Sequence, residues 1–372
     1  MRVALVLAGP SSAPRGSQVL VRQLALGLAG RGHVVRLVTY RGRRIGAPGP
    51  RLGRVLGDLA LTARLWRVVA RDPIDVIHAH NYEAAIAGLV VARLTGRPLV
   101  YHGHSALAEE LPLYFTSPLA RRLAGGVGRA LDAEVPRRAD FCIAVTDELG
   151  ALLRRRGVTA RGLACIGPTG APEELGPAPV PGGDGGLVCY AGNLDGYQNL
   201  AFLLRAFARV RARVPAARLL IVTHADGRAA ARVVGDARGV EVIRAGSYDE
   251  VRARLAAAAI AVCPRAERSG FPMKLLNYMA AGKAIVASAG SAKGLQDGCT
   301  GRVVPDDDEG AFADAIVALL GNRRERERLG RAARRAVESR EAWDAVLDRI
   351  EAIYDHVTAR AEPGLVPVAC TE

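Results

Sequence analysis

The chain has 372 residues, is half hydrophobic with only 5% aromatic side chains, and carries a formal net charge of +14. That length is two to three typical domains of roughly 100–150 residues, so two domains are expected. Scattered cysteines without a C-x-x-C pair, no apolar run near the ~20 residues of a bilayer-crossing helix, and no helix-turn-helix, RNA-recognition or zinc-finger pattern exclude a disulfide framework, cysteine-held structural zinc, a membrane span and a nucleic-acid partner.

The six cysteines fit a reducing, cytoplasmic setting. Met1 to Leu7 is too short for a secretory core, so a soluble or peripheral protein is expected. The charge is uneven. Residues 1–160 hold 23 arginines against 11 acidic side chains, a net +12, and the rest of the chain is close to neutral at +2. An excess confined to one half fits an anionic partner of that half, such as an anionic membrane surface or a phosphorylated acceptor. It fits equally the solubility charge of an arginine-rich protein.

In chain order, Val3–Ala8 is an all-apolar run, as a parallel strand covered on both faces requires. A loop over residues 9–17 leads into an amphipathic helix from Gln18, ended by Gly30 and Gly32. Gly16 lets the loop backbone approach a phosphate. Strands are predicted at Val34–Thr39, Asp75–His78, Pro98–His102 and Phe141–Val145, with helices at Ala84–Leu94 and Asp147–Arg156. Two arginine-rich helical stretches, 51–67 and 118–138, carry much of the charge. Their basic faces beside apolar ones suit anionic headgroups as well as they suit ordinary surface helices. No Gly-x-Gly-x-x-Gly follows the first strand, so no dinucleotide cofactor is expected.

A Pro/Gly-rich run over 167–186 reads as a linker. A second series of strands follows at Leu187–Gly192, Arg218–Val222, Glu241–Arg244, Ile260–Cys263, Ala284–Ala287 and Gly301–Val304. Helices alternate with them, and a last amphipathic helix carries Trp343, Val346, Ile350 and Tyr354. The tail from Pro363 is expected to fray.

The most informative stretch runs from Ser269 to Ser288. Gly270 and Pro272 open a turn, Leu275, Leu276 and Met279 recur at helical spacing, and Gly282 stops the helix before a buried strand. Lys274 sits in the first turn of that helix, in a chain with only three lysines. A helix start at the carboxyl end of a sheet attracts anions.

This stretch resembles the nucleotide-sugar signature of retaining GT-B glycosyltransferases of family 4, above all in Met279-Ala-Ala-Gly-Lys283. The resemblance extends over nearly the whole chain, through Asp75-Val-Ile-His-Ala-His-Asn81, Ala139-Asp-Phe-Cys-Ile-Ala-Val-Thr146 and Asp297-Gly-Cys-Thr-Gly-Arg-Val-Val-Pro305. It implies an α/β fold of two Rossmann-like domains facing across a cleft. Residues 1–166 would form the acceptor domain and 187–342 the donor domain, with a C-terminal helix at about 343–360 crossing back to the first. It implies a metal-independent transferase without a cofactor. A sugar would pass, with retention, from a nucleotide sugar to a glycan, lipid-linked or small-molecule acceptor, in polysaccharide or glycoconjugate biosynthesis. The alternative is a catalytically inactive homologue that scaffolds a partner transferase.

The family's two acidic donor-site positions are Ser269 and Asn277 here, and Glu267 is the nearest replacement carboxylate. The family's diphosphate-clamping Arg and Lys correspond to Asn193 and Gln198, both neutral. Arg265 and Lys274 are then the cations left to hold the diphosphate, with Asn193 and Gln198 as neutral donors. Gly16, Gly270, Phe271, Pro272 and Leu275 complete the implied donor site. His102 matches the family's sugar-contacting histidine, while His80, His104 and Glu109 are assigned to the acceptor. His78, His80, His102 and His104 form two i, i+2 pairs on adjacent strands, a pattern open to metal ligation, but without a cysteine or carboxylate cluster no metal is assigned.

Overall fold

The computed structural model describes residues 1–11, 16–40, 52–169, 184–225, 227–265, 270–340 and 342–361. Glu267, Ser269 and residues 170–183 of the expected linker lie outside the described residues.

Six strands build the first sheet: β1 (Arg2–Leu7), β2 (Val34–Thr39), β3 (Val76–His80), β4 (Leu99–Gly103), β5 (Phe141–Ala144) and β6 (Leu163–Cys165). Their order is β2-β1-β3-β4-β5-β6, all parallel. The second sheet holds β7 (Asp184–Ala191), β8 (Arg218–Thr223), β9 (Val240–Arg244), β10 (Ala258–Cys263), β11 (Ala284–Ser288) and β12 (Arg302–Val304). Its order is β12-β11-β10-β7-β8-β9, again all parallel. Each order reverses once, between β1 and β3 and between β7 and β10. Ligands of such sheets sit beyond the strand ends at that reversal. The loops after β1, β3, β7 and β10 therefore frame the site.

Helices cover both faces of each sheet, which is why Val3 to Leu7 and Ala258 to Cys263 are buried along their whole length. One face of the first sheet packs on the helices Leu52–Arg71, Asn81–Thr95, Pro118–Arg137 and Asp147–Arg155. The other face packs on Gly16–Gly30 and on the C-terminal helix Trp343–Ala361. Val346, Ile350, Ile353 and Tyr354 of that last helix join Val3, Leu5, Leu24 and Leu28 in one apolar cluster. Arg31 ties the pair from outside, with its guanidinium on Asp344, Asp348 and Glu351. The expected crossing of the final helix back to the first sheet is thus observed.

Among the described residues, the two domains meet through loops and helix ends. Lys293 of the second pairs with Glu148 of the first at 2.6 Å. The Arg340 guanidinium donates to the Pro168 carbonyl at 3.4 Å and lies 5.3 Å from the Phe271 ring centre. Gly16 abuts Met273 so closely that a Cβ would come within 2.8 Å of its Cγ.

Three elements depart from expectation. β6 and the helix Gly227–Val234 were not foreseen. β7 also starts within the expected linker, because Asp184 registers with Ala258.

Candidate active site

The turn after β10 and the short helix Lys274–Ala280 bring the second domain's cations to the switch point. Gly282, at φ +60°, takes the left-handed conformation that ends this helix, and the Lys283 amide closes back on the Tyr278 carbonyl. The helix thus enters β11 at a fixed angle. With seven residues its dipole is small, so the charge at the site rests on side chains.

Lys274 carries that charge. Its Nζ donates to Gln198 Oε1 at 2.5 Å and to the Tyr190 hydroxyl at 3.0 Å, and lies 4.1 Å from the Tyr190 ring centre. Tyr190 in turn donates to the Asn193 carbonyl at 2.6 Å. Gly192 leaves the room this needs, since a Cβ there would stand 3.1 Å from the Lys274 Nζ. Burial pushes the Lys274 ammonium down to about 8, with Arg265 pushing the same way and Cys263 and Asp195 opposing. Arg265 is buried and stacks at 5.0 Å over the ring of Tyr197. Tyr197 accepts from Asn193 Nδ2 at 2.9 Å. Lys274, Tyr190, Asn193, Tyr197 and Arg265 are therefore one connected unit at the ends of β7 and β10.

This geometry refines the expected donor set. Gln198 has its carbonyl occupied by Lys274, which leaves its amide NH2 as the donor. Asn193 is engaged in closing its own loop, because Oδ1 also accepts from the Asp195 amide. Leu275 is fully buried in the apolar cluster beneath the second sheet, so it supports the site and does not line it. Pro272 and Gly270 are buried, and Phe271 packs against apolar clusters of both domains. Asn277 is half-buried, one turn beyond Lys274.

Across the cleft, β3 and β4 deliver the histidines. Strand alternation puts His78, His80 and His102 on the sheet face that carries Val76 and Val100, beneath the C-terminal helix. The Tyr354 hydroxyl meets His78 Nδ1 at 2.6 Å, and His78 Nε2 meets His102 Nδ1 at 3.2 Å. His80 Nδ1 meets His104 Nε2 at 3.1 Å. Burial keeps all four neutral: His78 is pushed down to about 3, His104 to about 4, and His80 and His102 well below the ordinary range.

His102 is only 2% exposed and lies in a space barely large enough for one water, among Leu20, Leu24, Val346 and Ile350. Its ring faces the core, not the cleft, which corrects its assignment to the donor sugar. His80 is likewise fully buried and is withdrawn as an acceptor contact. His104, one residue past the end of β4 and half-buried, is the histidine that reaches the mouth. Glu109 is exposed beside it. Glu110, next to Glu109 in the sequence, has a carboxylate that accepts from Ser105 at 2.6 Å and from Tyr114 at 2.7 Å. This segment faces the loop of Asp195 and Tyr197: burial first, then Glu110, raises the Tyr114 hydroxyl, with smaller contributions from Tyr197 and Asp195.

Two family models match the chain. "Glycosyltransferase Family 4" covers residues 14–169, and "Glycosyl transferases group 1" covers 185–322. A phosphatidyl-myo-inositol mannosyltransferase of Mycobacterium leprae is 30% identical over 96% of this chain and 97% of its own. The chain belongs to glycosyltransferase family 4. A D-inositol 3-phosphate glycosyltransferase of Geodermatophilus obscurus is 26% identical over 82% of this chain and 71% of its own. Among solved structures, sucrose-phosphate synthase from Thermosynechococcus elongatus superposes with a TM-score of 0.82 at 20% identity, covering 96% of this chain and 99% of its own. The Anabaena protein HepE in complex with UDP and glucose superposes at 0.70 with 16% identity, covering 96% and 100%. These likenesses show the GT-B fold. The protein is a glycosyltransferase.

Proposed function

We propose that this family 4 enzyme transfers a sugar, with retention, from a nucleotide sugar to an inositol-type acceptor carried by a lipid. The observation that supports the donor half is Lys274. It enters from the 274–280 helix and seats its ammonium on Gln198, the position at which the family resemblance places a lysine. A cation from another element thus reaches the position where the resemblance implies one. With Arg265 stacked on the adjoining loop, it meets the charge that grows on the leaving diphosphate. This assigns charge neutralisation to side chains. Added magnesium should then leave the affinity for nucleoside diphosphates unchanged. His104 takes the sugar-facing role, and Glu109 and Glu110 stand near the acceptor.

The lipid half rests on the outer face of the first domain. The helices Asn81–Thr95 and Pro118–Arg137 each expose an apolar stripe at i, i+4, i+8: Ile86, Val90, Leu94 and Leu119, Leu123, Val127. The neighbouring helix Leu52–Arg71 exposes Val55, Leu56, Leu59 and Trp66. Exposed Arg67, Arg121, Arg122 and Arg129 flank these stripes. Apolar stripes edged by arginines fit an anionic bilayer surface better than a soluble acceptor. No described helix is long and apolar enough to cross a membrane, so contact would be peripheral. The inositol acceptor is read from the relatives' names.

The test incubates the protein with a panel of nucleotide sugars and vesicles containing phosphatidylinositol, with free inositol phosphate in parallel. Transfer to the vesicle lipid supports the reading. Transfer to inositol phosphate alone removes the lipid half. No donor bound or hydrolysed by the folded protein points instead to an inactive scaffold.

A further inference from the structure

The four clustered histidines have a geometry that sugar transfer does not use. β3 and β4 are adjacent and parallel, with His80 in register with His102. The rings of His78 and His80 lie 4.5 Å apart, those of His80 and His102 4.8 Å, and those of His78 and His102 5.3 Å. One nitrogen from each of the three falls within 4.8 Å of the others. All three side chains are buried.

Two of their nitrogens, His80 Nε2 and His102 Nε2, are buried with no hydrogen-bond partner among the described residues. Buried polar atoms nearly always have a partner, and an orphan marks a missing water or ion. Both lie in the same histidine cluster. The open nitrogen that favours an ion among the three rings is His80 Nε2, since His102 Nε2 is a different atom from the Nδ1 that faces His78.

We propose that His78, His80 and His102 form a transition-metal site of the zinc class beneath the C-terminal helix. The spacing fits such an ion. Zinc–nitrogen bonds of about 2.0–2.1 Å in a tetrahedral set place ligand nitrogens roughly 3.3 Å apart. His78 Nε2 and His102 Nδ1 are 3.2 Å apart, close to that spacing, and an ion bound by both would take the place of the hydrogen bond they share. The second shell is in place, because His78 Nδ1 faces the Tyr354 hydroxyl at 2.6 Å and that contact orients the ring. Three imidazoles without a carboxylate select zinc, nickel or copper over magnesium and calcium. His104, bonded to His80 and half-buried at the strand end, marks the way in. An ion here would fasten β3 and β4 together and hold the loops after them beside the cleft.

The test strips the purified protein with a chelator and titrates it with cobalt(II) as a spectroscopic stand-in for zinc. The visible absorption of a tetrahedral site should grow and saturate at about one equivalent. Zinc should abolish it and raise Tm. His102→Gln should lose both responses, and far-UV circular dichroism of the metal-free variant checks that it folds. His104→Gln, outside the three ligands, should keep them. Wild-type protein with neither absorption nor a Tm rise overturns the proposal, and so does a His102→Gln protein that binds as well as wild type.

Discussion

Lys274 keeps an ammonium in surroundings that work against it. Burial and the Arg265 charge lower its proton affinity to about 8, so a sizeable fraction is neutral at mildly alkaline pH. A bound diphosphate brings negative charge beside it and favours the protonated form. The sign follows. Below pH 8 the ammonium is already present and nucleotide affinity is flat. Above pH 8 binding must take up a proton, so affinity should fall with rising pH until the bound-state value is reached. Lys274→Arg should abolish the fall, because arginine stays charged. Titrations of nucleoside diphosphate across pH 7 to 10 check this. At fixed pH, Lys274→Ala and Arg265→Ala should each weaken binding by about 1–3 kcal/mol. Unchanged affinity in both would take them out of the site. Lys274 was legible in the sequence because lysine is rare here and this one stands in the nucleotide-sugar signature. Its partner Gln198 was visible only as the position where a cation was missing. The histidines were legible as a same-facing group, since strand alternation dictates that. Which face they share was not legible. The C-terminal helix, more than 240 residues after His102, covers that face and turns the ring into the core. His104→Ala should therefore lower turnover far more than nucleotide affinity, and kcat measured beside the nucleotide Kd separates the two.

Among the elements, the long apolar-periodic ones were read well and the short ones were not. β1 shows as an unbroken apolar run because both its faces are covered. The C-terminal helix shows through Trp343, Val346, Ile350 and Tyr354 at helical spacing, and those side chains do pack on the first domain. β6 escaped notice because three residues, Leu163–Cys165, carry too little periodicity, and pairing with β5 is what makes them a strand. The helix Gly227–Val234 begins at a glycine and reads as a turn. Arg64, within the arginine-rich stretch 51–67, turns its guanidinium in to the Thr39 carbonyl. The C-terminal helix is the element that holds the first domain's histidine face closed. Ile350→Ala, at a fully buried position, should cost about 2–5 kcal/mol by leaving a cavity. Leu26→Ala, on the exposed side of the helix Gly16–Gly30, should stay within about 0.5 kcal/mol. Chemical denaturation of the two variants checks the contrast. Equal losses would mean that the last helix is not seated as described.

At the scale of the whole molecule, the +12 lies on residues 1–160, which supply β1 to β5 of the first sheet, and the near-neutral remainder supplies the whole second sheet, β6 and the C-terminal helix. The proposed diphosphate site lies with the neutral half, so on that reading the donor does not account for the excess. The apolar stripes stand on the charged half, on helices covering one face of its sheet. The proposed membrane-borne acceptor would account for both, and the two contributions separate by experiment. Anionic vesicles should capture the protein and neutral ones should not. Salt at ~0.5 M, where the screening length falls to about 4 Å, should release most of it. Arg67, Arg121 and Arg122 are exposed, and replacing all three with Gln should weaken capture while leaving Tm within a few degrees. Replacing Leu119, Leu123 and Val127 with Ser should weaken it further, in a manner salt does not mimic, because the lost term is apolar burial. If both triple variants bind as wild type does, this face is not the docking surface. Equal capture by neutral and anionic vesicles would leave the charge as a solubility device and the apolar stripes as the whole docking surface, whereas capture by neither would shift the acceptor reading to a soluble inositol phosphate.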